Sequence, residues 1–157
     1  MADIEGIKIL GDRDPMSDVV ESDPKAERSQ RLLPGRCRRL ADRLEEVLPT
    51  VLLVHRQEVG ECGVEQAERL KHPLVYVWGH LHEQSYEETS LLVSLSPGTS
   101  GANGIKTPRE APYGFSLLEF DPDRLRLASS CHFQFDGPGD MKEARCYLNP
   151  MYEGVGE

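Results

Sequence analysis

The sequence predicts an α/β fold with a mixed sheet, on three observations. Two short apolar runs, VLLVH at residues 51–55 and LVYVWGHLH at residues 74–82, both end in histidine. Between them lie the polar residues 56–73, long enough for the helical crossover that joins parallel strands. Residues 36–48 carry an amphipathic stripe of Cys37, Leu40, Ala41, Leu44, Val47 and Leu48. Residues 113–120 and 125–135 then read as two strands joined at Asp121-Pro122-Asp123-Arg124, a hairpin that makes the sheet mixed rather than purely parallel.

In chain order, residues 6–10 alternate and read as a short strand, and residues 11–29, rich in Asp, Pro and Ser, as a loop. Asp12 and Asp14 follow Gly11 here. An Asp-rich turn leaving the strand is one reading of them, and a Gly-Asp metal motif the other. The helix over 36–48 has Pro34 near its start and Pro49 at its end. Its other face holds Arg36, Arg38, Arg39 and Arg43, a solvated face or a basic patch. Residues 64–71 are compatible with a crossover helix. Residues 83–90 are polar and short, and residues 91–95 are another buried strand. The loop over 96–104 is rich in glycine and small polar residues, with backbone N–H groups that suit an anion, or it simply connects two strands. It lacks the spacing of a P-loop or a serine-hydrolase elbow. His132 is read as a sheet-surface histidine and His72 as a solvated loop residue. Residues 136–157 are read as a loose tail after a domain spanning residues 1–135.

Composition narrows the function. The chain has 157 residues, 38% hydrophobic and 29% charged, enough for one domain with a core. A net charge of −9 argues against nucleic acid, whose phosphates need a basic surface. No run of about 18 apolar residues offers a membrane span, and the start has no signal-peptide pattern. The four cysteines, Cys37, Cys62, Cys131 and Cys146, form no Cys-x-x-Cys pair, and reduced thiols in a cytoplasmic protein are the expectation.

The chemistry concentrates at the histidines. In extended backbone the side chains of His80 and His82 point the same way, with α-carbons roughly 6.5 Å apart. Two imidazoles so placed can hold one metal, or one metal each of a close pair. In open α/β sheets ligands sit beyond the carboxyl ends of the strands, so His55, His80 and His82 are expected on one edge. Imidazole suits Mn, Fe, Zn, Co and Ni alike.

These residues resemble a family. Gly79-His80-Leu81-His82 resembles the terminal Gly-His-x-His motif of calcineurin-like metallophosphoesterases, and the run ending at His55 resembles the isolated-histidine motif before it. Residues 91–101 resemble the strand and Pro-Gly loop that follow, with Pro97, Gly98, Thr99 and Ser100 as the candidate phosphate-side loop. Residues 6–15 resemble a segment of some bacterial members. The resemblance covers about residues 6–135, but only the carboxyl half of the family's domain. It implies a partial α/β/β/α sandwich lacking its amino-terminal half. In it His55 and His80 would bind one divalent transition metal ion and His82 a second. The family's Asp-x-His, bridging Gly-Asp and Gly-Asn-His motifs are not found, so no catalytic residue is assigned.

Three functions stay open at this level. The first is a two-metal hydrolase of phosphate esters, present as a carboxyl-terminal portion inactive alone. The second is a non-catalytic metal-binding or interaction module derived from that half. The third is an unrelated α/β protein with structural histidines. Without the first half, strands such as residues 51–54 are expected to lose neighbours, leaving the chain prone to self-association or in need of a second chain.

Overall fold

The two histidine-bearing runs lie side by side at the centre of a six-stranded sheet. The computed structural model describes residues 1–12, 31–79, 83–98, 113–137 and 140–149. Its elements are β1 (Ala2–Ile4), β2 (Ile7–Gly11), α1 (Leu33–Val47), β3 (Val51–Leu53), α2 (Gln57–Leu70), β4 (Leu74–Val77), β5 (Gln84–Glu88), β6 (Leu92–Pro97), β7 (Tyr113–Asp121), β8 (Arg126–Gly137) and β9 (Asp140–Leu148). The first sheet runs β1-β2-β3-β4-β6-β5, and the second runs β7-β8-β9. Strands β2, β3, β4 and β6 are parallel; β1 and β5 pair antiparallel at the two edges. A mixed sheet and the 113–135 hairpin both form as the sequence predicts, but the hairpin lies in the second, antiparallel sheet, and β1 and β5 are what make the first sheet mixed.

Period-two alternation sorts the first sheet into two faces. Leu10, Leu52 and Tyr76 lie in one register row and face the helices, packing with Leu40 and Leu44 of α1 and Val59 and Ala67 of α2. The adjacent row, Ile9, Val51, Val75 and Val93, faces the second sheet and meets Leu118, Phe120 and Leu127. The result is three layers, α/β/β. Strand β3 has neighbours on both sides, so the expectation that residues 51–54 are stripped of partners is corrected.

Helix α2 comes unusually close to the sheet. A Cβ at Gly60 would lie 2.4 Å from the Tyr76 ring, and one at Gly63 2.8 Å from Leu52 Cδ2. Those two glycines, one turn apart, let the helix reach the strands. They also weaken its helical signal, so the sequence shows only its last half.

Three strands were not read from the sequence. Strand β1 is short and joins β2 through Glu5 and Gly6, whose φ values of 51° and 89° make a two-residue hairpin turn. Strand β5 lies in the stretch read as merely polar. Strand β9 lies in the stretch read as a loose tail, which it corrects for residues 140–148.

The cysteines also correct the sequence reading. None is a free thiol: Cys37 pairs with Cys62, tying α1 to α2 across 5.3 Å between α-carbons, and Cys131 pairs with Cys146, tying β8 to β9 across 4.1 Å. The partners are 25 and 15 residues apart in sequence, a spacing no local motif reveals.

A candidate strand-end site

The carboxyl ends of the four parallel strands open into one cleft of about 510 Å³. Its walls are Gly11 and Asp12 after β2, Leu53 to His55 after β3, Val77 to Gly79 after β4, and Pro97 closing β6. The geometry follows from the register: Gly11, Leu53 and Val77 are in line across three strands, so the residues after them emerge together.

Two hydrogen bonds fix how the chain leaving β3 approaches the chain leaving β4. Val54 N–H donates to Val77 O at 3.0 Å, and Gly79 N–H donates to His55 O at 3.1 Å. The exposed His55 therefore abuts the residue that precedes His80. A Cβ at Gly79 would sit 3.7 Å from His55 O and 3.8 Å from His55 Nδ1, ordinary contact distances, so this packing does not itself require glycine. Beneath them, buried Trp78 donates from Nε1 to Ser94 Oγ at 3.3 Å and forms the apolar floor. Tyr76 lies under the start of α2 and donates from its hydroxyl to Gln57 O at 2.9 Å. Burial, with Glu61 and Glu58 adding to it, pushes its phenol far up, so it remains a proton donor.

Asp12 is the carboxylate on the cleft wall, and it is engaged. Its Oδ2 lies 3.2 Å from Arg36 Nη1 of α1. Sequence reading placed Arg36 on a basic helix face and missed this role. Arg38, Arg39 and Arg43 of the same face are exposed. Among the described residues no group of three or more His, Cys, Asp or Glu side chains could hold a metal ion. A two-metal centre needs carboxylates that bridge or flank imidazoles, and the described residues, with their carboxylate held by a guanidinium, do not fit one. His80, His82, Thr99 and Ser100 lie outside the described residues; Pro97 and Gly98 stand at the end of β6.

Two other histidines are not where the sequence suggested. His72 is half-buried, and its Nε2 donates to Pro49 O at 2.8 Å, joining the entry of β4 to the end of α1 rather than standing in solvent. His132 is buried between the two sheets. Its Nδ1 meets Ser116 Oγ at 2.8 Å, its Nε2 meets Ser130 Oγ at 3.2 Å, and its ring packs 4.8 Å from Tyr86. Burial lowers its pKa. Neither lines the strand-end cleft.

No family model matches this sequence, and no curated protein matches it. Among solved structures the chain is similar to Vps29 from Chaetomium thermophilum, at 14% identity and a TM-score of 0.35, over 91% of this chain and 98% of that one. It is similar also to a single mutant of Vps29 from Entamoeba histolytica, at 14% identity and a TM-score of 0.36, over 89% and 98%. Likenesses of this order carry no argument about function.

Proposed function

We propose that this chain is a metallophosphoesterase-type module that does not hydrolyse phosphoesters alone, and that binds a metal and a second polypeptide. His55, His80 and His82 are its metal ligands, with the loop of Pro97, Gly98, Thr99 and Ser100 on the phosphate side. The observation that supports the site is the 3.1 Å bond from Gly79 N–H to His55 O, which joins His55 to the first residue of the Gly-His-x-His motif at the open end of the parallel strands. The metal, when bound, would supply Lewis acidity toward an anionic oxygen. The residues of this chain supply neutral imidazoles and an apolar Trp78 floor. The engaged Asp12 favours the non-catalytic reading over the hydrolase, because close cations need anionic ligands between them.

The second sheet supports the need for a partner. Its outer face presents Phe115, Leu117, Met141 and Leu148, between 43% and 69% exposed, beside Phe133 and Phe135 stacked on Phe115. Its inner face near β5 is polar, with Ser116, Ser130, His132 and Gln134. That inversion of the usual pattern suits an outer face covered by more protein. The occupant in this reading is the amino-terminal half of such a domain, in cis or as a second chain. The expected cytoplasmic location stands against two disulfides, which favour an oxidising compartment.

The test is metal titration of the purified chain with Zn, Mn, Co and Ni, followed by an aryl phosphate ester assay with and without an added amino-terminal half. Binding by the native chain, lost in His80→Ala and His82→Ala and kept in His72→Ala, with hydrolysis only when the half is added, is the expected result. Equal loss in all three variants marks adventitious binding. Unaided turnover that disappears in His80→Ala returns the chain to the hydrolase reading.

A further inference from the structure

We infer that β9 is a self-complementary edge through which two copies of this chain pair antiparallel, extending the second sheet across a two-fold axis at Ala144. The inference does not depend on the metal site. Among the described residues β9 is paired on one side only, to β8.

The disulfide shows which backbone groups face the free side. Cys131 and Cys146 are directly opposed in register, with α-carbons 4.1 Å apart. That close spacing belongs to a pair that does not exchange backbone hydrogen bonds. The N–H and C=O of Cys146, and of Ala144 two residues earlier, therefore point away from β8. The alternate residues point toward it, as the 2.9 Å bond from Asn149 N–H to Ala128 O shows. Ala144 is thus an outward-facing residue with a small side chain, able to exchange both backbone bonds with Ala144 of a second copy.

That register sets the charges. Residues whose numbers flank Ala144 equally come opposite each other, so Glu143 faces Arg145 of the second copy and Arg145 faces its Glu143. These are non-hydrogen-bonded positions, where facing side chains are closest and opposite charges help most. Within one chain the two side chains already meet, Arg145 Nε donating to Glu143 Oε1 at 2.6 Å, with Arg145 63% and Glu143 42% exposed at the rim of the space between the sheets. Pairing turns one exposed ion pair into a closed square of four charges. In a chain of net charge −9, a locally balanced edge is also where two copies repel least.

The other edges do not offer this. Strand β1 has three residues, β5 carries Glu87 and Glu88 together, and the register of β7 shifts between Glu119 and Phe120. Strand β9 is interrupted only near its start, where Gln134 pairs with Glu143 and Phe135 with Met141, leaving Lys142 as an extra residue. That bulge keeps the ladder short, so the dimer is reversible rather than obligate.

The experiment is sedimentation equilibrium of the full oxidised chain, from about 10 μM to about 1 mM, on the native protein, Glu143→Arg, Arg145→Glu, and an equimolar mixture of the two variants. Circular dichroism checks that each is folded. The native chain should rise with concentration from 17.6 kDa toward twice that mass. Each variant alone sets like charges against each other and should associate at least about tenfold more weakly. The mixture sets two arginines against two glutamates and should recover native affinity within a few-fold, less so at high salt. A native chain that stays monomeric throughout overturns the inference. So does a mixture no tighter than its components. Single variants that associate as the native chain does would place self-association on the apolar outer face instead, which also overturns it.

Discussion

The two sheets are built on different physics. The first is apolar on both faces: its central strands bury Leu52, Val75, Tyr76, Val93 and Leu95 between two helices and a second sheet. The second is buried on one face, and its outer face leaves Leu117 and Leu148 more than half exposed. The disulfide beside the first sheet, Cys37–Cys62, joins its two covering helices, whereas the second sheet carries one between its own strands β8 and β9, and the stacked pair Tyr86–Tyr147, 4.3 Å apart, clips β9 to the edge strand β5. The first sheet therefore positions His55 and Gly79 at its strand ends, and the second leaves more apolar surface exposed.

Substitutions should break along that line. Leu52→Ala removes a fully buried side chain from the row beneath both helices. Its cost should be about 2–5 kcal/mol, read as a lower urea midpoint with an unchanged slope. Breaking the Cys131–Cys146 bridge with paired serines should come next, at up to about 3 kcal/mol in the chain-entropy account of a loop this size. Hydrogen exchange should then show β9 opening while β3 and β4 keep their protection. Intact-mass measurement after alkylation without reductant checks the premise: no cysteine should be labelled.

The same contrast sets what could be read from sequence. Strands β3, β4 and β6 were legible because both their faces are buried, which leaves continuous apolar runs. Helix α1 was legible because its buried Cys37, Leu40 and Leu44 recur at helical spacing. Edge strands β1, β5 and β9 were not, since an edge needs only a weak apolar pattern and charges there are normal. His132 was misplaced for a specific reason. Its strand puts the apolar parity, Phe133 and Phe135, outward and the polar parity inward, the reverse of what alternation suggests. The convergence of the β3 and β4 ends was legible from their pattern. The Asp12–Arg36 pair was not, because the partners are 24 residues apart on a loop and a helix.

Buried His132 gives the second sheet a pH dependence on the acid side of neutrality. Its folded pKa is lowered by burial from the ordinary 6.5. Unfolded chains therefore bind the proton more readily than folded ones between those two values, and stability falls as pH drops from about 6.5 toward the lowered value. The contribution is fully present above about 6.5. Thermal melts at pH 7.5 and at lower pH should show this loss, and His132→Gln, which can still bond to the two serines, should flatten it. An unchanged slope in that variant would assign the effect to other groups.

The smallest stability effect is expected on the outer face. Leu117 stands on the outer face of β7, opposite Cys131 in register, with 59% of its surface exposed. Leu117→Ser removes little buried area in the isolated chain, so its stability should change by no more than about 0.5 kcal/mol. The same substitution should improve solubility, because it interrupts the apolar patch that Phe115 continues on the same face. Measured beside Leu52→Ala, it asks whether the outer face is open in solution. A loss approaching that of Leu52→Ala would mean that the face is already covered. A small loss, with weakened capture of an added amino-terminal half, is the result expected if the partner seats there.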